Sequence, residues 1–186
     1  MGHNLIELKK IIPNIRLDIR YATTNNFTGK ILDSVPKAYL INEAANGLLK
    51  ANEEFRLHGL GILVWDAYRP LSVTKILWDR TPPKLHEYVA NPVKGSMHNR
   101  GCAVDMTLYN LRSGELLEMP SDFDEFDDRA RMSYMPTNIL ELNNRMILVE
   151  IMSKNGFTVY EDEWWHFNWD GFKKYPELDI PIQELL

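Results

Sequence analysis

Two short stretches hold most of the chemistry this sequence could perform. In Ser96-Met97-His98-Asn99-Arg100-Gly101-Cys102-Ala103-Val104-Asp105, a histidine precedes a turn that glycine permits, and an aspartate follows at a strand position. Zinc accepts imidazole nitrogen and carboxylate oxygen at about 2 Å, so a turn folding His98 back towards Asp105 can supply two ligands from one hairpin-like unit. A third must come from elsewhere. The best source is His166, in Glu163-Trp164-Trp165-His166, where large aromatic residues can keep water away from a polar centre. Three ligands leave one tetrahedral position for a water whose pKa falls to about 7. Glu163 is the carboxylate nearest in sequence to take its proton and pass it to a leaving amine.

That pairing carries a geometric condition. Residues three apart in a regular strand face opposite ways, so Glu163 and His166 share a site only if the chain bends or bulges at Trp164 or Trp165. Arg69, expected at the tip of a strand, would offer a positive group to the oxyanion formed when hydroxide attacks a peptide carbonyl. Each residue alone has a plainer reading: a hydrogen-bonded histidine, a capping aspartate, a surface arginine. Only their combination favours a metal site, and spacing by itself leaves that site and coincidence about evenly matched. The remaining histidines fit less well: His3 is near the terminus, His58 ends a helix and His86 lies in a polar segment. Cys102 reads as a small buried strand residue, because thiolate ligation is more typical of closed structural sites.

The elements that must position these residues are legible in outline. Ala44, Leu48, Ala51 and Phe55 recur at helical spacing between Asn42 and His58, with Gly59 as the stop. Gly61 to Tyr68 is β-prone and ends where Arg69-Pro70 breaks regular structure. A short helix over Ser72–Trp78 leads into a long irregular stretch punctuated by Pro82, Pro83, Pro92 and Gly95, a length of loop that commonly serves a site. Further strands are expected over Cys102–Leu108, Gly156–Val159 and Trp164–Trp169, and a helix over Asn138–Lys154. The acidic run between Met119 and Met135, with Asp122, Asp124, Asp127 and Asp128, reads as a solvated loop. Together these predict one α+β domain spanning residues 1–186, a small, mainly antiparallel sheet flanked by helices with the zinc site at the sheet.

Composition narrows the partners. A chain of 186 residues, 45% hydrophobic, can bury one core without covalent cross-links. Its single cysteine cannot form an internal disulfide, and Met1–Lys10 lacks the pattern of a secretory signal, so a soluble cytoplasmic protein is expected. A net charge of -5 offers no general attraction to nucleic acid or anionic membranes. A small molecule or peptide is the better substrate, and no obligate protein partner is evident.

The residues also carry a family resemblance. Ser96, His98, Gly101, Ala103 and Asp105 meet a Ser-x-His-x-x-Gly-x-Ala-x-Asp pattern, and Glu163, Trp165 and His166 meet Glu-x-Trp-His. Both resemble the D-alanyl-D-alanine dipeptidases, zinc enzymes related to bacterial D,D-carboxypeptidases and associated with vancomycin resistance. Further similarity lies in Asp18–Thr23, Asn26–Gly29, Asp66–Pro70, Thr107–Tyr109 and Phe123-Asp124. The resemblance implies one zinc ion per chain held by His98, Asp105 and His166. It gives Glu163 the acid/base role and assigns transition-state stabilisation to Arg69. It further implies that Asp124 holds a substrate ammonium, that Ser96 lies near the substrate carboxylate and that Tyr21 shapes the pocket. Ala67 stands where the family pattern suggests glycine, without removing a chemical group.

The expected reaction is hydrolysis of D-Ala-D-Ala and similar small dipeptides. A related zinc D,D-carboxypeptidase or stem-peptide endopeptidase would use the same chemistry in a longer groove. A noncatalytic zinc-binding module would need neither Glu163 nor Arg69.

Overall fold

The computed structural model describes residues 4–186; His3 lies outside the described residues. Strands β1 (Leu5–Glu7) and β3 (Tyr39–Ile41) form a small antiparallel pair that the sequence reading did not anticipate. The main sheet has five strands, in the order β2 (Arg16–Leu17), β4 (Leu60–Asp66), β5 (Ala103–Asn110), β7 (Glu163–Trp169) and β6 (Phe157–Tyr160). Its pairs are antiparallel except β2–β4 at one edge, so the expected α+β architecture holds.

The helices are α1 (Leu8–Ile11), α2 (Asn42–Leu57), α3 (Leu71–Arg80) and α4 (Ile139–Lys154). In α2 the periodic residues Ala44, Leu48, Ala51 and Phe55 are all fully buried. Gly47 lets this helix approach the β6–β7 hairpin closely, since a Cβ there would stand 2.6 Å from the Trp169 ring and 2.9 Å from the Asn155 carbonyl. Helix α4 begins where Asn138 accepts a hydrogen bond from the Leu140 N–H, the cap that its residue type suggests.

Strand register divides the sheet into two faces. Residues opposite one another in antiparallel strands project to the same side. Ile62, Val64, Val104, Met106, Leu108 and Phe167 therefore share an apolar face, on the side where Phe157 and Trp169 meet Gly47 of α2. The other face carries Asp105, Thr107, His166 and Asn168. A one-residue bulge at Trp65 shifts the β4 register so that Asp66, rather than Trp65, lies opposite Asp105. Asp66, Asp105 and His166 thus form one row across three adjacent strands.

The stretch from Thr81 to Gly95 is less irregular than expected, because a 3-10 helix covers Pro83–Tyr88. A second 3-10 helix, Met97–Arg100, carries His98. The C-terminal segment straps these parts together: Leu178 N–H donates to Asn99 O, Leu178 O accepts from Leu71 N–H, and the Tyr68 hydroxyl both donates to and accepts from the Ile180 backbone.

Candidate metal centre and substrate cavity

The His98 turn is fixed before any metal is considered. Ser96 Oγ accepts the His98 N–H while Asn99 Oδ1 accepts the Ser96 N–H, a reciprocal cap on the 3-10 helix. The Asn99 amide also donates to Arg69 O and Thr74 Oγ1, joining this turn to the end of β4 and to α3. Gly101 then turns the chain into β5 with a φ of 64°, and a Cβ there would lie 2.7 Å from the Leu5 side chain. Both conformation and space therefore demand glycine at that motif position.

Three donor atoms converge on one point. His166 Nδ1 lies 2.9 Å from Asp105 Oδ1, His98 Nε2 lies 3.3 Å from Asp105 Oδ2, and the two imidazole nitrogens are 3.2 Å apart. The opposite nitrogen of each ring faces an acceptor, Ala67 O at 2.6 Å for His98 Nδ1 and Asn168 Oδ1 at 2.9 Å for His166 Nε2. Neutral rings oriented this way carry their protons outwards and aim two lone pairs at each other and at a carboxylate. Such a cluster calls for a cation. Donors about 2 Å from a tetrahedral ion are themselves a little over 3 Å apart, so the spacing fits a divalent metal. Without one, burial works against a charged His166, yet the neighbouring Asp105 outweighs it and raises the imidazole to about 9. The same histidines hold the buried Asp105 carboxyl well below its usual range, against the cost of burial.

Glu163 reaches this cluster because β7 is irregular where the sequence required it. From Val159 to Tyr160 the partner on β7 jumps from Phe167 to Glu163, leaving Trp164, Trp165 and His166 without a register partner on β6. Glu163 Oε2 consequently lies 3.8 Å from His166 Nδ1. Burial pushes its carboxyl up to about 7, with Asp105 adding to the shift and His166 opposing it.

Arg69 is no surface residue: it is 7% exposed, with Nη1 lying 3.3 Å from Asp66 Oδ2 and its guanidinium 5.3 Å from the centre of the Tyr21 ring. Burial disfavours the charge, but Asp66 and the other nearby anionic groups keep it firmly protonated. Asp66 Oδ2 also stands 3.6 Å from His98 Nδ1. The sequence reading missed this aspartate as a site residue. Its signal was the three-residue spacing to Arg69; the bulge that aims it inward was not visible.

Asp124 corrects the reading of the acidic run as a solvated loop. Phe123 is buried against Trp65, with ring centres 5.0 Å apart, and draws its neighbour inward. Asp124 adopts a left-handed backbone (φ 57°) and accepts a hydrogen bond from the Tyr21 hydroxyl at 2.9 Å. Its carboxyl is pushed well above its usual range, first by burial and then by Glu163 and Asp105. Asp122 and Asp128 do remain exposed. His86 also departs from expectation, its ring stacking 3.9 Å from Trp78 rather than lying in a merely polar segment.

All eight residues singled out from the sequence line a single cavity of about 330 Å³: Tyr21, Arg69, Ser96, His98, Asp105, Asp124, Glu163 and His166. Tyr160, Asp162 and Asn168 join them, three residues that no motif singled out. The volume is near the lower end of the range for small-molecule sites, about 300–1,000 Å³.

The sequence matches the D-Ala-D-Ala dipeptidase family of peptidases over residues 1–178. The chain belongs to this family. It is 38% identical to the D-alanyl-D-alanine dipeptidase of Enterococcus faecium, covering 95% of this chain and 96% of the relative. It is 33% identical to the Escherichia coli D-alanyl-D-alanine dipeptidase, covering 94% and 89% respectively. Among solved structures, an LD-carboxypeptidase that recognises peptidoglycan aligns with a TM-score of 0.52 at 19% identity, over 94% of this chain and 71% of that one, a similarity of fold. As a member of the dipeptidase family the chain is a hydrolytic enzyme. Ala67, at the position where the family pattern suggests glycine, serves the site through its backbone, its carbonyl facing His98 Nδ1 and its N–H donating to Asp66 Oδ1, so the substitution costs no functional group. Among the described residues no helix is long and apolar enough to cross a membrane.

Proposed function

We propose that this enzyme hydrolyses D-Ala-D-Ala and similar small D,D-dipeptides to free amino acids, using one Zn2+ held by His98, Asp105 and His166. The supporting observation is that two imidazole nitrogens and a carboxylate converge at the buried end of a small cavity, with a second carboxyl group beside them. Zinc bound there supplies a Lewis acid, which acidifies water and polarises a peptide carbonyl.

Glu163 acts as the proton carrier. A carboxyl poised near neutrality can accept a proton from the attacking water and return it to the leaving amine. Arg69, buried and held by Asp66, presents a fixed positive charge to the oxyanion that develops during attack. Asp124 receives the substrate ammonium: an added cation relieves the repulsion it feels from Glu163 and Asp105. The Tyr21 hydroxyl orients it. Ser96 Oγ already accepts the His98 N–H, so its own proton can go to the substrate carboxylate.

A free dipeptide carries opposite charges on its two adjoining residues. A cavity with Asp124 at one part and Ser96 at another measures that separation, and a longer peptide would leave a buried carboxylate without its cation. The fully buried, single Cys102 suits a reducing compartment, so a cytoplasmic location remains our reading. The deciding experiment compares D-Ala-D-Ala, L-Ala-L-Ala, D-Ala-D-lactate and a stem pentapeptide, each with and without chelator. Chelator-sensitive turnover strongest on D-Ala-D-Ala is expected; equal cleavage of the pentapeptide would instead indicate a carboxypeptidase.

A further inference from the structure

The cavity has an outer wall that no single segment of the chain supplies. Phe27, from the turn after Tyr21, and Tyr88, from the end of the 3-10 helix Pro83–Tyr88, both line it. Phe126 is not among the lining residues but touches both. Its ring stacks on Tyr88, with centres 5.0 Å apart and planes 18° apart, and it meets Phe27 edge-on at 5.0 Å and 68°. All three rings are half-buried, in contrast to the nearly sealed His98.

The loops that bear these rings are secured separately. The Asn26 side chain closes its own turn through the carbonyls of Arg20, Thr23 and Lys30. Phe123 anchors the base of the acidic loop in the core. The Phe126 contacts link the two loops to each other and to Tyr88. Phe126 is also two positions beyond Asp124 in the same loop, so one short segment presents a carboxyl group to the cavity and clamps the wall beside it.

We infer that Phe126 is a positioning residue for substrate length: it joins Phe27 and Tyr88 into a closed wall next to Asp124, confining the site to substrates that end at their ammonium group. This deepens, and rests on, the dipeptidase reading above. The two parts of the loop discriminate differently. Asp124 rejects an extended substrate because an amide replaces the ammonium; the wall rejects it because the preceding residue has no space. Removing the Phe126 ring takes away the second discrimination and leaves the first.

The experiment measures kcat/KM for D-Ala-D-Ala and for tri-D-alanine in the wild-type holoenzyme, Phe126→Ala, Phe126→Leu and Phe126→Trp. In Phe126→Ala the tripeptide-to-dipeptide ratio is expected to rise about tenfold or more, the scale on which a pocket distinguishes substrates by bulk. Phe126→Trp, which keeps an aromatic platform, should hold the wild-type ratio, and Phe126→Leu should fall between. Phe126→Leu also guards against a folding defect, because it retains apolar bulk. A parallel titration calorimetry series in Glu163→Gln, with and without Phe126→Ala, reads the same ratio from binding of the two peptides. A ratio unmoved in Phe126→Ala and Phe126→Leu, with both substrates losing equally, overturns the inference alone. Failure of the wild-type enzyme to turn over D-Ala-D-Ala, with no binding by Glu163→Gln, overturns the dipeptidase reading and the inference with it.

Discussion

At the inner end of the cavity, Asp105 and His166 are register partners on adjacent strands, and His98 sits in a turn capped by Ser96 and Asn99. At the outer end, Asp124 stands on a loop in left-handed backbone, beside a wall made of half-buried rings from two loops and the end of a 3-10 helix. The inner arrangement suits a cluster whose donors must hold their geometry to within about half an ångström. The outer one suits a substrate that must enter and leave, which loops of lower local stability allow. On the roles proposed above, chemistry falls to the sheet and the His98 turn beside it, and selection to the loops at the other end of the cavity.

If that division is right, inner substitutions should remove turnover and outer ones should alter substrate preference. The largest expected effect is for Glu163→Gln: kcat falls by about 10²–10⁴-fold, the span of general acid–base catalysis, while elemental analysis finds the metal content unchanged. Full activity, or loss of the metal, would contradict its role as proton carrier. Asp124→Asn comes next. Losing a charge-assisted hydrogen bond of about 1.5–3 kcal/mol should raise KM for a free dipeptide roughly ten- to a hundredfold with kcat little changed. A fall in kcat at constant KM would move Asp124 to the chemical end.

Asp66→Asn tests the boundary between the two ends from within. Arg69 keeps its charge but loses the carboxylate 3.3 Å from its Nη1, so kcat should drop about tenfold while KM stays near wild type. The loss should be smaller than that of Arg69→Ala, which removes the cation itself. Equal losses from the two substitutions would mean that Arg69 acts only as part of a buried pair.

The same division explains what was legible in the sequence. The inner end was legible in part: His98, Gly101 and Asp105 keep a fixed spacing through one turn, and Glu163 and His166 imply a bend that β7 does contain, but spacing alone left a metal site and coincidence even and the family resemblance decided between them. The α2 core positions followed from their 3.6-residue period, a signal that burial enforces along the whole helix. The role of Asp66 was hidden, since a single extra residue at Trp65 decides which face it joins. The inward turn of Asp124 was hidden from its composition too. Four neighbouring aspartates usually mean solvent, and only the docking of Phe123 against Trp65 shows otherwise. Contacts such as Phe27–Phe126–Tyr88 depend on three distant segments meeting, which no local pattern encodes.

The smallest expected effect concerns Cys102, which lies between the Gly101 turn and Asp105 and is fully buried. Burial pushes its thiol up to about 12, against the pull of Arg100. The unfolded chain releases this proton near pH 8.5, whereas the folded chain keeps it, so the stability linked to the thiol is intact below that pH and is lost as pH rises towards 12. At pH 8 the native enzyme should therefore be inert to an aromatic disulfide reagent, with one thiol per chain appearing only after denaturation. Rapid labelling of the native enzyme would show that the inner end opens to solvent as the loops do, and the contrast between a rigid chemical end and a yielding selective end would fail.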